Sequence, residues 1–242
     1  MSICKFGIDY LPLHKKVKMK NLFFNPFIGR QYNEGICGKK ILVLGASFYC
    51  SHTPKSEAPC PFFTECTSPE KKDSSKFDNI CPFYKDSGLR LSEEPSNAIT
   101  ENYPAYRNFA AFMQQFGEDK NEDVWQRMAF TDYVQFFVPT QKTMKKYLSK
   151  RDFYAFCETL RELQPNVVVA WGMAILEEIR ENNPYVIDFD KLPETEWYVC
   201  HIRIQGVDHD ITMVCCYHPS SMSYWYNDLD TLSKYMNMVL RE

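Results

Sequence analysis

The sequence predicts an α/β protein, a three-layer α/β/α sandwich with a mostly parallel central sheet. The first observation is that two continuous apolar runs end in glycine, at 41–45 and at 167–172. Such runs are typical of strands that are buried on both faces of a parallel sheet. The second is that apolar residues recur at helical spacing before and after these runs. Strands that alternate with amphipathic helices favour helices on both faces of a parallel sheet.

The remaining elements follow from the same two periodicities. Residues 128–138 read as a strand bounded by proline, and residues 197–204 and 210–217 as two further strands around a glycine-containing turn. Apolar positions at helical spacing predict a helix from about 104 to Gly117, one over 153–163 that stops before Pro165, and a short one over 173–181. A closing helix is predicted through 229–240.

We predict one domain over residues 1–242. Residues 1–38 form an N-terminal extension with aromatic pieces, which we expect to wrap around the core, and residues 39–240 form the sandwich. An irregular insertion over about 50–100 is rich in proline, serine and lysine. An excursion of that length is generally functional or mobile.

Composition excludes several classes of protein. The chain has 242 residues, 45% of them hydrophobic, and 28 basic against 31 acidic residues give a formal net charge of −3. These values are ordinary for a globular domain, and they exclude a disordered chain or a strongly basic binder of duplex DNA. No signal peptide or membrane span is evident, and ten cysteines without a secretory signal indicate free thiols. We therefore expect a cytoplasmic monomer that does not enter a membrane.

Ligands of open α/β sheets bind beyond the carboxyl ends of the strands. That rule selects the segments that follow Gly45, surround Asp132, follow Trp171 and follow Tyr217.

These segments resemble the motifs of the uracil-DNA glycosylase superfamily. The residues that carry the resemblance are His218-Pro219-Ser220-Ser221-Met222, Thr131-Asp132-Tyr133, Gly45-Ala46-Ser47-Phe48-Tyr49 and Ala170-Trp171-Gly172. Their order and spacing agree with the family over about 39–240. The resemblance implies the α/β/α fold and a site that recognises a nucleobase in DNA.

The resemblance also implies catalytic roles. His218 would stabilise negative charge on the leaving base, as a positioned donor does. The family places a water-positioning acid or amide where this chain has Ala46, so Ser47 is the remaining residue there that could hold a water. Asp132 stands where the family has an asparagine that reads the base edge. An ionised Asp only accepts hydrogen bonds, so it either reads a donor-rich base or is a relocated catalytic carboxylate.

The same motifs predict the residues that contact the base or the nucleic acid. Phe48 or Tyr49 could stack on a flipped base, although core packing is the commoner role of such residues. Met222 could wedge into the base stack, and Tyr224, Trp225 and Tyr226 form an aromatic cluster beside it. The remaining predicted contacts are Gly45, Ala46, Gly172, Pro219, Ser220 and Ser221.

A metal site is a further hypothesis, because four cysteines lie in the insertion. Cys50, Cys60, Cys66 and Cys81 could hold zinc or an iron–sulfur cluster in a segment with little core of its own. The close Cys-x-x-Cys pair that such sites usually contain is missing, which favours free thiols. The predicted chemistry requires no cofactor.

The sequence thus predicts a nucleobase-recognising protein that excises a damaged or deaminated base from DNA by hydrolysis of the N-glycosidic bond. The alternative is a non-catalytic module that binds a nucleotide or nucleic acid and has lost the catalytic acid at Ala46.

Overall fold

The computed structural model describes residues 21–49, 53–57, 59–61, 103–117, 123–138, 148–183, 187–191 and 199–241. Seven strands in these ranges form one sheet, and four α-helices cover its two faces. The strands are β1 (Phe27–Ile28), β2 (Ile41–Tyr49), β3 (Met128–Val138), β4 (Val167–Trp171), β5 (Ile187–Lys191), β6 (Val199–Ile204) and β7 (Ile211–Cys216). The helices are α1 (Pro104–Met113), α2 (Lys150–Leu163), α3 (Met173–Glu181) and α4 (Met222–Arg241). Short 3-10 turns at Gln114–Phe116 and Val124–Arg127 extend α1 and precede β3.

The sheet has the order β1-β3-β2-β4-β7-β6-β5. Its four central strands, β3, β2, β4 and β7, are parallel, while β1, β6 and β5 pair antiparallel with their neighbours. The prediction of an α/β fold with a parallel centre is confirmed. The sheet as a whole is mixed, because β1 pairs antiparallel with β3 at one edge, and β6 and β5 add antiparallel strands at the other.

Two apolar cores lie on opposite faces of this sheet. The first core joins α1 and α4 to the sheet through residues such as Phe109, Trp171 and Trp225. The second core joins α2 and α3 to the other face through residues such as Leu160 and Ile179. The central strands β2 and β4 contribute to both, and Ile41, Leu42, Val43 and Leu44 are all fully buried. This two-sided burial is why their sequences are continuously apolar rather than alternating.

Residues 21–28, here called the N-terminal strap, pack along β3. Phe23 and Phe24 are buried, and both of their backbone N–H groups donate to Oε1 of Gln135, at 3.1 Å each. The backbone N–H of Gln135 in turn donates to Oδ1 of Asp152 at 2.6 Å, and Asp152 also caps the first turn of α2. One buried amide and one buried carboxylate therefore connect the strap, β3 and α2.

Three elements differ from the sequence-based predictions. Strand β2 continues to Tyr49, four residues beyond the Gly45 at which the predicted strand ends. Strand β5 was not predicted, although its Ile187-Asp188-Phe189 start alternates apolar and polar residues as an edge strand does. Helix α4 begins at Met222, earlier than the apolar spacing of 229–240 indicated. The N–H of Trp225 donates to the carbonyl of Ser221 at 2.8 Å, so Ser221 stands at the N-cap, a position that serine favours. Among the described residues, no helix is both long and apolar enough to cross a membrane.

Candidate functional site

The predicted site segments meet in one row across the parallel strands. Gly45 of β2 is the register partner of Asp132 in β3, and Trp171 of β4 is the partner of Cys216 in β7. Leu44 pairs with Ala170, so Gly45 and Trp171 occupy neighbouring positions as well. From Asp132 to Cys216 the row spans three strand spacings, about 14 Å. His218 follows two residues after the row ends.

Asp132 lies directly over Gly45 on the face of the first core. Its side chain is buried, with 4% of its surface exposed. An ideal Cβ placed on Gly45 would overlap Oδ1 of Asp132 and lie 3.0 Å from Cζ of Phe130. Glycine is therefore required at position 45 by the close approach of a carboxylate rather than by its backbone angles. The carbonyl of Asp132 accepts a hydrogen bond from Nε2 of Gln135 at 2.6 Å, within β3.

His218 is held in one protonation state and one tautomer. Its Nδ1 accepts the backbone N–H of Ser220 at 3.3 Å and lies 2.8 Å from Oγ of the same serine. A backbone N–H can only donate, so Nδ1 carries no proton and the neutral ring carries its proton on Nε2. Burial lowers the pKa of His218 below its ordinary value, because desolvation disfavours the charged form. The imidazole therefore presents a neutral Nε2–H donor at neutral pH.

An aromatic wall lies between Asp132 and His218. The ring of Trp171 meets the imidazole of His218 edge to face, with centroids 5.5 Å apart. Phe130 packs 5.5 Å from Trp171, and Tyr106 of α1 packs against both rings at 5.2 and 5.6 Å. Trp171 is almost fully buried, and within the described part of the chain no hydrogen-bond partner satisfies its Nε1. A buried N–H without a partner is costly, which marks this wall as a place to look for a ligand acceptor.

The segment 217–221, here called the His218 loop, is fixed at several points. The N–H of Ser221 donates to the carbonyl of His218 at 2.8 Å, which closes a tight turn. Nδ2 of Asn108 in α1 donates to the carbonyl of Pro219, also at 2.8 Å. Buried Pro219 and Trp225 anchor the two sides of the turn. The loop thus holds His218 in place before any ligand arrives.

The motif Gly45-Ala46-Ser47-Phe48-Tyr49 has side chains on both faces of the sheet. Ala46 packs against the second core, so an acid at this position would point away from Asp132 and His218. Ser47 is half-buried and pairs with Val134, and the register between β2 and β3 shifts between Ser47 and Tyr49. Phe48 packs against the first core, with its ring 4.9 Å from Phe24 and 6.5 Å from Phe130. The core-packing interpretation of Phe48 therefore has direct support.

The other predicted contacts have mixed outcomes. Gly172 is the N-cap of α3 with a φ of 129°, a conformation that favours glycine. Ser220 is exposed beside His218. Tyr49 ends β2 and Met222 begins α4, but their side chains lie outside the described part of the structure.

The prediction that Tyr224, Trp225 and Tyr226 form one aromatic cluster is wrong for Trp225. Trp225 is 2% exposed and belongs to the first core, whereas Tyr224 and Tyr226 are exposed. On a helix, neighbouring residues point about 100° apart, so three consecutive aromatics cannot share a face.

The metal hypothesis falls mostly outside the described residues, which include Cys60 but not Cys50, Cys66 or Cys81. Cys60 is a buried free thiol. Within the described ranges, no group of three or more His, Cys, Asp or Glu side chains could hold a metal ion. The cysteines of the cores are also free thiols, and burial raises the pKa of Cys157 and of Cys200 to about 12. Such thiols are unreactive at neutral pH.

Three features of the site were not predicted as functional. The sequence places Trp171 in the motif Ala170-Trp171-Gly172 but gives its side chain no role, although it lies at the strand end where ligands bind. Asn108 was noted for no role, and nothing in its local sequence shows that it reaches Pro219. The third feature is a stack between Tyr217 and Tyr224, whose members are seven positions apart and meet only because the His218 loop turns back.

A scan against models of known protein families finds no match for this chain, and a search of curated proteins finds no significant match. Function is therefore argued from the geometry of the site.

Proposed function

We propose that this edge of the sheet binds a nucleobase and hydrolyses its N-glycosidic bond in DNA. The single observation that carries the proposal is the pairing of a buried carboxylate, Asp132, with a neutral imidazole donor, His218, on the same face of the sheet. A reaction that cleaves a base from a sugar needs both an acceptor for a proton from water and a donor for the departing base.

The surface between the two groups suits a flat ligand. The Asp132 carboxylate lies over β2, and the His218 ring lies against the Trp171 side chain of β4. Asp132 stands in β3 and His218 follows β7, and these two strands are three spacings apart, about 14 Å. Aromatic rings form the surface between them, and a base stacked on such a surface gains about 1–3 kcal/mol.

The proposed reaction divides the chemistry between these residues. A water held near Ser47 gives a proton to the Asp132 carboxylate as its oxygen forms a bond to C1′ of the deoxyribose. The C1′–N bond breaks, and its electron pair leaves with the base. The Nε2–H of His218 donates a hydrogen bond to the base oxygen where this negative charge collects. Asp132 is thereby assigned the carboxylate role that Ala46 cannot fill.

The test is base release from labelled oligonucleotides. The panel carries uracil, hypoxanthine, xanthine and mismatched bases, in single and double strands. The test variants are His218→Ala and Asp132→Asn, and the matched controls are His209→Ala and Asp208→Asn. The control residues form a hydrogen-bonded pair in the turn before β7, at the opposite end of the strands. We expect release that falls by about 100-fold or more in each test variant, the usual loss of an acid–base group, and is unchanged in the controls.

Two results would contradict the proposal. Release that persists in both test variants would show that other residues perform the chemistry. Absence of release from every substrate, with the folded protein still binding the oligonucleotides, would favour the alternative of a non-catalytic module. That alternative has one observation in its favour, since Ala46 offers no catalytic group and faces the second core.

A further inference from the structure

Tyr217 and Tyr224 form a stack on the surface beside His218. Their ring centroids are 5.3 Å apart and the ring planes are inclined by 26°. Both rings are exposed, Tyr217 by 38% and Tyr224 by 63%. The other ring contacts of the described residues are tilted or edge to face, as is usual inside a protein core.

The stack is mounted rigidly. Tyr217 directly follows β7 and directly precedes His218, while Tyr224 stands in the first turn of α4. The adjacent Trp225 is buried in the first core and fixes that turn. Because the two rings already order each other, a third ring that stacks on them need not pay for immobilising free side chains.

The stack remains exposed although its two rings contact each other. Tyrosine suits such a place, because its hydroxyl stays hydrated while its ring offers a flat apolar surface. A nucleobase is the flat ring that the neighbouring His218 site would place nearby.

We infer that the Tyr217–Tyr224 stack holds an unpaired base of single-stranded DNA next to the nucleotide whose base reaches His218. This inference rests on the proposed function, because it deepens the substrate class of that same site. In a duplex both faces of each base are covered by neighbouring bases, whereas an unpaired base can offer a free face. Base–aromatic stacking tolerates any sequence, since every base has such a face.

The charge of the chain agrees with stacking as a main source of affinity. The formal net charge is −3, so contacts with phosphate receive little general support from the protein. We therefore expect binding to fall less steeply with salt than for a basic single-strand binder.

The experiment measures fluorescence polarisation of a labelled oligothymidylate with the full chain. Tyr224→Ala is compared with Tyr224→Phe, which keeps the ring, and with Tyr154→Ala. Tyr154 is a matched control, exposed by 41% but located on α2 on the other face of the sheet. We expect Kd to rise about 5- to 150-fold in Tyr224→Ala, the equivalent of one lost stacking contact. Tyr224→Phe and Tyr154→Ala should bind as the wild type does.

Tyr217→Leu keeps an apolar side chain but removes the ring, and it should weaken binding in the same way. Circular dichroism confirms that each variant is folded. The inference is overturned if Tyr224→Ala binds as Tyr154→Ala does, if Tyr217→Leu binds as the wild type, or if a blunt duplex of matching sequence binds as tightly as the single strand.

These outcomes are separate from those of base release. Binding that depends on Tyr224 without any release would support the stack and contradict the proposed excision. Release with an unchanged KM in Tyr224→Ala would support the excision and overturn the stack.

Discussion

Replacement of Gly45 by alanine is expected to destabilise the protein by about 1–3 kcal/mol, the cost of inserting a methyl group into a packed site. The added Cβ would overlap Oδ1 of Asp132 and crowd Cζ of Phe130, which lies 3.0 Å away. Asp132 is only 4% exposed, and Gln135 holds its carbonyl, so the carboxylate has little room to withdraw. At an ordinary strand position the same substitution would be favourable by about 0.5–1 kcal/mol, because glycine is entropically costly there.

A double-mutant cycle isolates the contact. In an Asp132→Ala background the overlapping oxygen is gone, so Gly45→Ala should cost much less or become neutral. The free energy of unfolding is measured in urea by tryptophan fluorescence, for which Trp125, Trp171 and Trp225 are buried reporters. Equal costs in the two backgrounds would refute the assigned contact, as would a stabilising effect of Gly45→Ala in the otherwise wild-type protein.

Two further outcomes are expected. Burial lowers the pKa of His218 in the folded protein, so below about pH 6.5 the unfolded chain binds more protons than the folded one. The free energy of unfolding should therefore decrease as pH falls through that value, by at most about 1.4 kcal/mol per pH unit. His218→Gln should remove that part of the decrease in urea titrations at several pH values, whereas His209→Gln should not. Gln135→Met should cost about 2–6 kcal/mol, because two buried N–H groups lose their acceptor at about 1–3 kcal/mol each. Amide exchange should then accelerate at the N-terminal strap, and the exposed Gln205→Met should leave both stability and exchange unchanged.

The central parts of β2 and β4 were predictable because every residue in them is buried and apolar. Ile41 to Leu44 and Val167 to Ala170 meet a core on each face, so no polar residue interrupts them. Strand β5 could not be identified in the same way. It pairs with β6 alone and carries charged residues at alternate positions, which resembles a loop in composition.

The strand ends of the site were predictable only in part, because Trp171 ends β4 and Tyr217 follows β7, whereas Gly45 and Asp132 lie within β2 and β3. The contacts of the site were not predictable. The register that aligns Gly45 with Asp132 depends on how two strands pair across more than eighty residues of chain. The same pairing shifts register after Ser47, and Ala46 and Phe48 pack against different cores. The stack of Tyr217 on Tyr224 depends on a turn whose geometry is fixed by Asn108, a residue on a distant helix.

The N-terminal strap has a consequence for the order in which the chain folds during synthesis. Asn21 donates from its backbone N–H to Oε2 of Glu158 at 3.0 Å, across a sequence separation of 137 residues. At about 5–20 residues per second, the ribosome adds that partner roughly 7–27 s after Asn21 itself. For that interval Phe23, Phe24 and Phe27, all buried in the finished protein, have no β3 or α2 to cover them. The nascent chain therefore displays a short aromatic segment to chaperones and to neighbouring nascent chains until β3 and α2 have been made, while four of the seven described strands are still to come.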